Sequence, residues 1–185
     1  MSEQVKNQAV EKMKKSVASL RDDFNTIRTG RASASLFDKV RVDYYGQKTP
    51  LNQVATISTP EARLVVIQPW DKAVLGEIEK AIQTSELSVN PNNDGKVIRI
   101  NIPPLTEDRR KEFVKVAKNM AEQSRVAIRN IRRDANEEIK KQQKSGDLSE
   151  DLAKRAEDEV QTLTDLHIHE INDSLEAKET EILEV

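Results

Sequence analysis

The stretch that decides the fold is Arg125-Val-Ala-Ile-Arg129-Asn-Ile-Arg132-Arg133-Asp-Ala-Asn136. Because helical residues lie about 100° apart around the axis, the apolar positions form one stripe, and Arg125, Arg129 and Arg132 form a ridge along its flank. Arg133 points further round, toward solvent. A guanidinium group can bind phosphate through two parallel hydrogen bonds, which lysine cannot do. We therefore predict a helix that packs on one side and contacts nucleic acid on another; the alternative is a solvated cationic face without a partner.

The helical pattern extends well beyond this stretch. From Thr106, a natural N-cap, apolar or small residues recur at helical spacing to about Lys144, which predicts a helix about 55 Å long. The short polar turn that follows forces an antiparallel return. Asp147 and Glu150 have the spacing of a capping box for the last helix. The chain is therefore predicted to end in two long antiparallel helices.

The N-terminal segment predicts a third helix, with Ser2 as a candidate N-cap. Its apolar residues alternate in spacing between three and four, the heptad pattern of a coiled coil or bundle, and are Val10, Met13, Val17, Leu20, Phe24 and Ile27. We predict that Gly30 ends this helix as a left-handed C-cap, with Arg28 and Arg31 at the negative end of the helix dipole. Three long helices with facing apolar seams predict an elongated, up-down three-helix bundle.

Between the first two helices the pattern changes to that of a small β/α/β module. Period-two alternation or β-rich composition predicts strands at 38–45, 51–57, 63–68 and 97–102, and turn formers fill 46–48, 58–61 and 90–95. Asp71 can cap a short helix. The predicted fold class is α+β: residues 1–30 and 105–185 form the coiled-coil-like bundle, and residues 31–104 form an inserted α+β domain. The ends of such an insertion, near Arg31 and Pro103, must be adjacent.

Composition and charge support this organisation. Hydrophobic residues make up 36% of the chain and charged residues 34%, which favours long helices with a narrow buried stripe. Residues 107–144 carry 12 Lys and Arg against 7 Asp and Glu, whereas residues 147–185 carry 3 against 13. If these segments pack side by side, one cationic edge stays exposed, and a polyanion would approach from that direction.

Residues that could carry out chemistry are sparse in this sequence. The chain has no cysteine, which excludes disulfides and thiol chemistry and fits a cytoplasmic protein. His167 and His169 lie two apart on a helix and cannot chelate one metal together; His167 is interpreted as a packing residue. With no glycine-rich phosphate loop and no G-x-S-x-G elbow, we expect no enzyme, no cofactor and no metal. Without a membrane-length apolar run or a signal peptide, we expect a soluble protein with no membrane partner.

Several motifs together resemble bacterial ribosome recycling factors. They are Arg28-Thr-Gly-Arg31-Ala-Ser, Tyr44-Tyr-Gly46, Asn90-Pro91, Pro103-Pro-Leu-Thr-Glu-Asp-Arg-Arg-Lys111 and the stretch quoted first. They cover essentially the whole chain, in order and at family spacing. The resemblance implies an L-shaped monomer of roughly transfer-RNA outline, with the bundle as the long arm and the α+β module as the short arm.

The resemblance also implies a function. Such proteins bind the post-termination ribosome and, with elongation factor G hydrolysing GTP, split it into subunits so that messenger and transfer RNA are released. The family's ribosomal RNA contacts on the large subunit map by motif onto Arg28, Arg31, Arg129, Arg132 and Arg133 of this sequence. Arg125 is added because it lies on the ridge.

The connections between the two predicted domains are expected to act as hinges. They contain Gly30 and Arg31 on one side and Pro103 and Pro104 on the other, and they would let the small domain swing as a body. Two other classes of function stay open on the sequence alone. One is a helical adaptor whose basic edge binds an acidic protein, and the other is an enzyme that acts on nucleic acid.

Overall fold

The computed structural model describes residues 2–184 and separates into two compact units. The helical unit comprises residues 2–28 and 107–184, and the α+β unit comprises residues 29–106. The elements in chain order are α1 (Ser2–Asn25), β1 (Arg41–Tyr44), β2 (Gln47–Pro50), β3 (Ala55–Glu61), β4 (Leu64–Pro69), α2 (Leu75–Gln83), β5 (Pro91–Asn93), β6 (Ile98–Asn101), α3 (Glu107–Lys144) and α4 (Glu150–Leu183). None of the helices within residues 2–184 is long and apolar enough to cross a membrane.

The helical unit is a bundle of α1, α3 and α4 with two apolar clusters along its axis. One cluster contains Met13, Val17, Leu20, Phe24, Ile27, Ala117, Ala121, Ile128, Ile171 and Ile182. The other contains Val5, Ala9, Ala135, Ile139, Leu148, Ala153, Ala156 and Val160. Residues from the start of α1 pack with the end of α3 and the start of α4, so α1 runs parallel to α4 and antiparallel to α3. The predicted α+β class, with an up-down three-helix bundle, is confirmed.

The two long helices begin and end close to the predicted positions. Glu107 and Asp108 occupy the first turn of α3, where carboxylates are stabilised by the helix dipole. The predicted N-cap at Asp147 is wrong. Ser149 caps α4, because its Oγ accepts a hydrogen bond from the Leu152 N–H at 3.3 Å. Leu148 is buried and its N–H donates to the Gln142 carbonyl at 3.1 Å, so the turn continues past Asp147.

The predicted end of α1 at Gly30 is also wrong, because the helix ends at Asn25. The N–H groups of Thr26 and Ile27 each donate at 3.1 Å to carbonyls only three residues earlier, and the Thr26 hydroxyl donates to the Asp23 carbonyl at 2.6 Å. A threonine hydroxyl that satisfies a backbone carbonyl competes with continued helix. The last turn of α1 contains no basic residue, so Arg28 and Arg31 lie beyond the turn they were predicted to cap.

The α+β unit contains a four-stranded antiparallel sheet of order β3-β4-β6-β5 and a separate β1-β2 hairpin. The central strands β4 and β6 place Val65, Ile67, Ile98 and Ile100 in the core with no exposed surface. The same core contains Ile78 and Ile82 of α2. Asp71 caps the helical segment before α2, because its carboxylate accepts the Ala73 N–H at 2.9 Å. The predicted cap at Asp71 is therefore confirmed.

The strand boundaries differ from the prediction at the edges of the sheet. Residues Leu51–Gln53 form a turn of 3-10 helix within a predicted strand, whereas β2, the end of β3, and β5 fall in segments that were predicted as turns. Pro60 lies in β3 and Pro91 in β5, and both strands are at an edge of the sheet. Proline is tolerated there because no neighbour needs its missing N–H. Turn-forming composition therefore did not exclude an edge strand.

The first and last segments of the α+β unit lie together at Gly30. Gly30 has a φ of +75°, and a Cβ atom added there would lie 3.3 Å from the backbone nitrogen of Leu105. Gly95 also has a positive φ, of +87°, but a Cβ atom would meet nothing within 4 Å. The predicted adjacency of the two ends of the insertion is confirmed, and the close approach explains a glycine at position 30.

We predict that Gly30→Ala destabilises the α+β unit more than Gly95→Ala. Each change places alanine in the left-handed region, at a cost of about 1 kcal/mol, and only Gly30→Ala adds a Cβ against a backbone atom. Trp70, the one tryptophan of the chain, lies in this unit. The free energy of unfolding of the unit is therefore measured from Trp70 fluorescence in a urea titration, and equal losses in the two variants would contradict the prediction.

Candidate nucleic-acid interface

The arginine ridge, defined as Arg125, Arg129 and Arg132, lies along the flank of α3 beside its buried stripe. Ser124, Ile128 and Ala135 are buried against the other helices, and this burial fixes the rotation of α3 about its axis. The ridge residues are half-buried at the edge of that stripe, and Arg133 is exposed. From Arg125 to Arg133 the helix rises about 12 Å.

Arg125 links α3 to α4. Its Nη1 donates to Asn172 Oδ1 at 2.8 Å, and its Nε donates to Glu122 Oε2 at 2.9 Å. Only 18% of its side chain is exposed. Two good hydrogen bonds and this degree of burial hold the guanidinium in one orientation at the seam between the two helices.

Glu122 lies next to two guanidinium groups of the ridge. Its second oxygen accepts a hydrogen bond from Arg129 Nη1 at 3.2 Å. The hydrogen bond from Arg125 is the largest cause, and that from Arg129 the next, that hold the pKa of the Glu122 carboxyl below its ordinary value. Glu122 was not identified from the sequence, although its spacing of three from Arg125 is that of a helical ion pair.

Arg132 contacts α4 about two helical turns after Arg125. Its Nη1 donates to Gln161 Oε1 at 3.4 Å, and Gln161 Nε2 in turn donates to Asp165 Oδ1 at 2.8 Å. A depression of about 420 Å³ begins here and is lined by Arg132, Arg133, Asn136, Glu137, Lys140 and Gln161. Lys140 follows Arg133 by seven residues, a spacing from which the sequence could have placed it on the same side.

The other predicted contact residues do not lie on the ridge. Arg28 belongs to the helical unit and follows Ile27, which belongs to the same apolar cluster as Ala117 of α3. Arg31 belongs to the α+β unit. Both side chains are exposed. The structure thus brings together Arg125, Arg129, Arg132 and Arg133, and the RNA-binding role of all six arginines stays a prediction.

The two histidines lie in different environments. His167 is only 3% exposed, and its Nδ1 lies 2.7 Å from the Leu163 carbonyl oxygen, which confirms its interpretation as a packing residue. His169 is exposed, with Nε2 3.3 Å from Asp173 Oδ2. Within residues 2–184, no three His, Asp or Glu side chains are grouped so that they could hold a metal ion.

The fold and this surface define a class of protein: a three-helix bundle with an inserted α+β unit, in which one helix carries arginines along a seam. The chain matches the family model described as Ribosome recycling factor over residues 20–183. It therefore belongs to the ribosome recycling factor family, whose members are translation factors and not enzymes.

Individual relatives match along nearly the whole chain. The ribosome-recycling factor of Treponema denticola is 65% identical over 184 residues, with 100% of both chains covered. That of Caldicellulosiruptor bescii is 58% identical over 177 residues, with 96% of each covered. A solution structure of the ribosome recycling factor superposes with a TM-score of 0.79 at 44% identity, covering 100% of this chain and 98% of that one.

A further solved structure shows a similar protein in a complex. It describes the T. thermophilus ribosome recycling factor and the E. coli elongation factor G bound to the E. coli post-termination complex. The matched chain has a TM-score of 0.68 and 46% identity, and 100% of each chain is covered. These matches agree with the family resemblance stated from the sequence motifs.

We predict that Arg125→Ala raises the pKa of Glu122 more than Arg129→Ala does, because the hydrogen bond from Arg125 is the larger cause of its lowering. The pKa is measured by a side-chain carboxyl NMR titration. Because the folded-state pKa is lowered, this cluster stabilises the fold above the unfolded pKa, and the stabilisation is lost as pH falls through the folded pKa.

Glu107 is the control for this titration. Its pKa is lowered mainly by its hydrogen bond from Lys111, at the start of the same helix, and should not move in either variant. A Glu122 pKa that stays low in Arg125→Ala would show that Arg125 is not the main partner in solution.

Proposed function

We propose that this protein binds the post-termination ribosome through ribosomal RNA of the large subunit. Together with elongation factor G and GTP, it then splits the ribosome into subunits, which releases messenger and transfer RNA. Membership of the ribosome recycling factor family and the complex described for the T. thermophilus relative support the proposal. The observation that carries the binding site is the arginine ridge, whose guanidinium groups are oriented along the α3–α4 seam.

The ridge suits a folded RNA backbone for electrostatic and geometric reasons. Arg125 and Arg129 are four residues apart, and so lie about 6 Å apart along the axis, and Arg132 extends the row by about 4.5 Å. Planar guanidinium groups in a row can bind successive phosphates through paired hydrogen bonds. Arg133 and Lys140, beside the depression at the end of the row, add positive charge. We include Arg28 and Arg31 in the proposed contact surface from the family motif.

The acidic composition of α4 limits the direction of approach. The segment 147–185 carries 13 Asp and Glu against 3 Lys and Arg, and α4 packs along α3. A polyanion is repelled by most of this surface and attracted by the ridge. The protein is therefore expected to dock in one orientation, in the cytoplasm where ribosomes are engaged in translation.

The helical unit provides the stiffness that splitting requires. A helix of 38 residues packed against two others forms a rod about 57 Å long. GTP hydrolysis by elongation factor G would supply the energy. We propose that residues 1–30 and 105–185 act as one functional domain and residues 31–104 as the other, with hinges at Gly30, Arg31, Pro103 and Pro104.

Alanine substitution of Arg129 or Arg132 should weaken binding to isolated large subunits about ten-fold. The slope of the logarithm of the binding constant against the logarithm of the salt concentration should become shallower by about one per arginine. The measurement is co-sedimentation over a range of salt concentrations. Arg155→Ala is the control, because it removes the same charge from an exposed position on α4. Native circular dichroism with unchanged affinity in the ridge variants would contradict the proposal.

Light scattering tests the reaction itself. Addition of the protein, elongation factor G and GTP to post-termination ribosomes should lower the scattered intensity as subunits separate, and omission of any one component should abolish the change. The Arg129→Ala, Arg132→Ala double variant should split slowly. A protein that acts only as a helical adaptor would stay in the supernatant when large subunits are sedimented. It would also leave the light scattering of post-termination ribosomes unchanged.

The same assay tests the hinges. Gly30→Ala restricts the backbone at a position with a φ of +75°, so it should bind subunits normally and split ribosomes slowly. Gly95→Ala carries the same substitution at a positive φ away from the connections and should split at the wild-type rate. Equal splitting rates in the two variants would exclude a hinge role for Gly30.

A further inference from the structure

The arginine ridge is held from α4 by two amide side chains. Asn172 Oδ1 accepts from Arg125 at 2.8 Å, and Gln161 Oε1 accepts from Arg132 at 3.4 Å. The two amides are eleven residues apart, or about three helical turns, and so lie on one face of α4. They contact the first and last arginines of the row, so each end of the ridge has a hydrogen-bond partner on α4.

Gln161 and Asn172 are neutral amides in a helix that is rich in carboxylate side chains. The helix spans Glu150–Leu183, and within that sequence Gln161 and Asn172 are its only amide side chains. Carboxylates are abundant around them, and Asp173 directly follows Asn172. The helix thus presents neutral acceptors at the two positions where its side chains accept hydrogen bonds from the ridge.

Gln161 also donates a hydrogen bond to a nearby carboxylate, that of Asp165. Its Nε2 donates to Asp165 Oδ1 at 2.8 Å while its Oε1 accepts from Arg132. The amide therefore offers its oxygen to the cation and its nitrogen to the anion. A carboxylate at position 161 could not donate to Asp165, and it would compete with phosphate for Arg132.

The difference between an amide and a carboxylate matters at a phosphate-binding surface. An amide oxygen accepts a hydrogen bond and so orients the guanidinium, which lowers the side-chain entropy lost on binding. It does not cancel the positive charge. A carboxylate forms a stronger, charge-assisted pair, and an incoming phosphate would have to displace it.

We propose that Asn172 and Gln161 are positioning residues of the arginine ridge. They hold Arg125 and Arg132 from α4 for the phosphates of ribosomal RNA without adding a carboxylate to the one, Glu122, that already pairs with Arg125 and Arg129. This inference rests on the proposed function and adds α4 to the RNA-binding surface. It assigns to the acidic helix an indirect part in recognition, through the arginines that its amides orient. Neither residue was identified from the sequence, because the periodicity of α4 does not show which of its polar positions face α3.

The test uses the isosteric variants Asn172→Asp and Gln161→Glu in the full-length protein, with co-sedimentation on large subunits. Each should lower the affinity toward that of the corresponding arginine-to-alanine variant. Each should also make the slope of the logarithm of the binding constant against the logarithm of the salt concentration shallower by about one. The melting temperature of Asn172→Asp should not fall, since its carboxylate bonds Arg125 at least as strongly. A purely structural role of Asn172 predicts unchanged binding in this variant.

Matched controls separate local from global charge effects. Asn7→Asp and Gln4→Glu make the same chemical changes at exposed positions of α1, and their affinities should stay near that of the wild type. Asn172→Ala leaves the charge of Arg125 in place and removes one of the two hydrogen bonds that orient it, so it should lose less affinity than Asn172→Asp and keep the wild-type salt dependence.

The outcomes distinguish this inference from the proposed function. If Asn172→Asp and Gln161→Glu bind as well as the α1 controls, or if Asn172→Ala binds as well as the wild type, the positioning role is overturned while RNA binding by the arginines stands. If Arg129→Ala and Arg132→Ala also bind normally, the proposed function itself fails. Loss of affinity in both sets, with unchanged α1 controls, supports both.

Discussion

The burial of one stripe of α3 is the constraint on which the rest of the structure depends. Ile128 and Ile139 are completely buried, and they fix the rotation of a helix that also carries the arginine ridge on its flank. A rotation by one residue, about 100°, would carry the guanidinium groups toward the core and the isoleucines toward solvent. Packing in the bundle therefore decides the direction in which Arg125, Arg129 and Arg132 point.

Electrostatics at the ridge is decided by individual neighbours more than by net charge. The helix beside the ridge is the most acidic segment of the chain, yet the side chains of α4 that accept hydrogen bonds from the ridge are Asn172 and Gln161. The carboxylate that does pair with the ridge, Glu122, comes from α3 itself. The charge counted by segment predicted an exposed cationic edge beside an acidic helix. The contacts show that a single carboxylate, Glu122, is shared between Arg125 and Arg129, so the row keeps a net positive charge for a ligand.

Each unit contains residues that are unusual for their position: buried polar side chains in the helical unit, and prolines within strands of the α+β unit. In the helical unit, the polar residues Thr164 and His167 are buried in α4, and each bonds to the carbonyl four residues earlier, at 2.8 and 2.7 Å. In the α+β unit, Pro60 and Pro91 lie on edge strands, where the missing N–H is not needed. In the helical unit these two buried side chains are hydrogen-bonded within their own helix, and in the α+β unit the prolines lie where no partner strand needs an N–H.

The sequence by itself determined the bundle, the inserted α+β unit, the length of α3 and the row of arginines, because heptad and period-two patterns directly encode which faces are buried. It did not determine where α1 ends or that Ser149 caps α4, since short-range hydrogen bonds compete at helix ends. Only the tertiary structure showed that Asn172 and Gln161 contact the ridge and that Gly30 lies against Leu105. Such contacts depend on the register and rotation of segments far apart in the chain, which packing of the whole core sets.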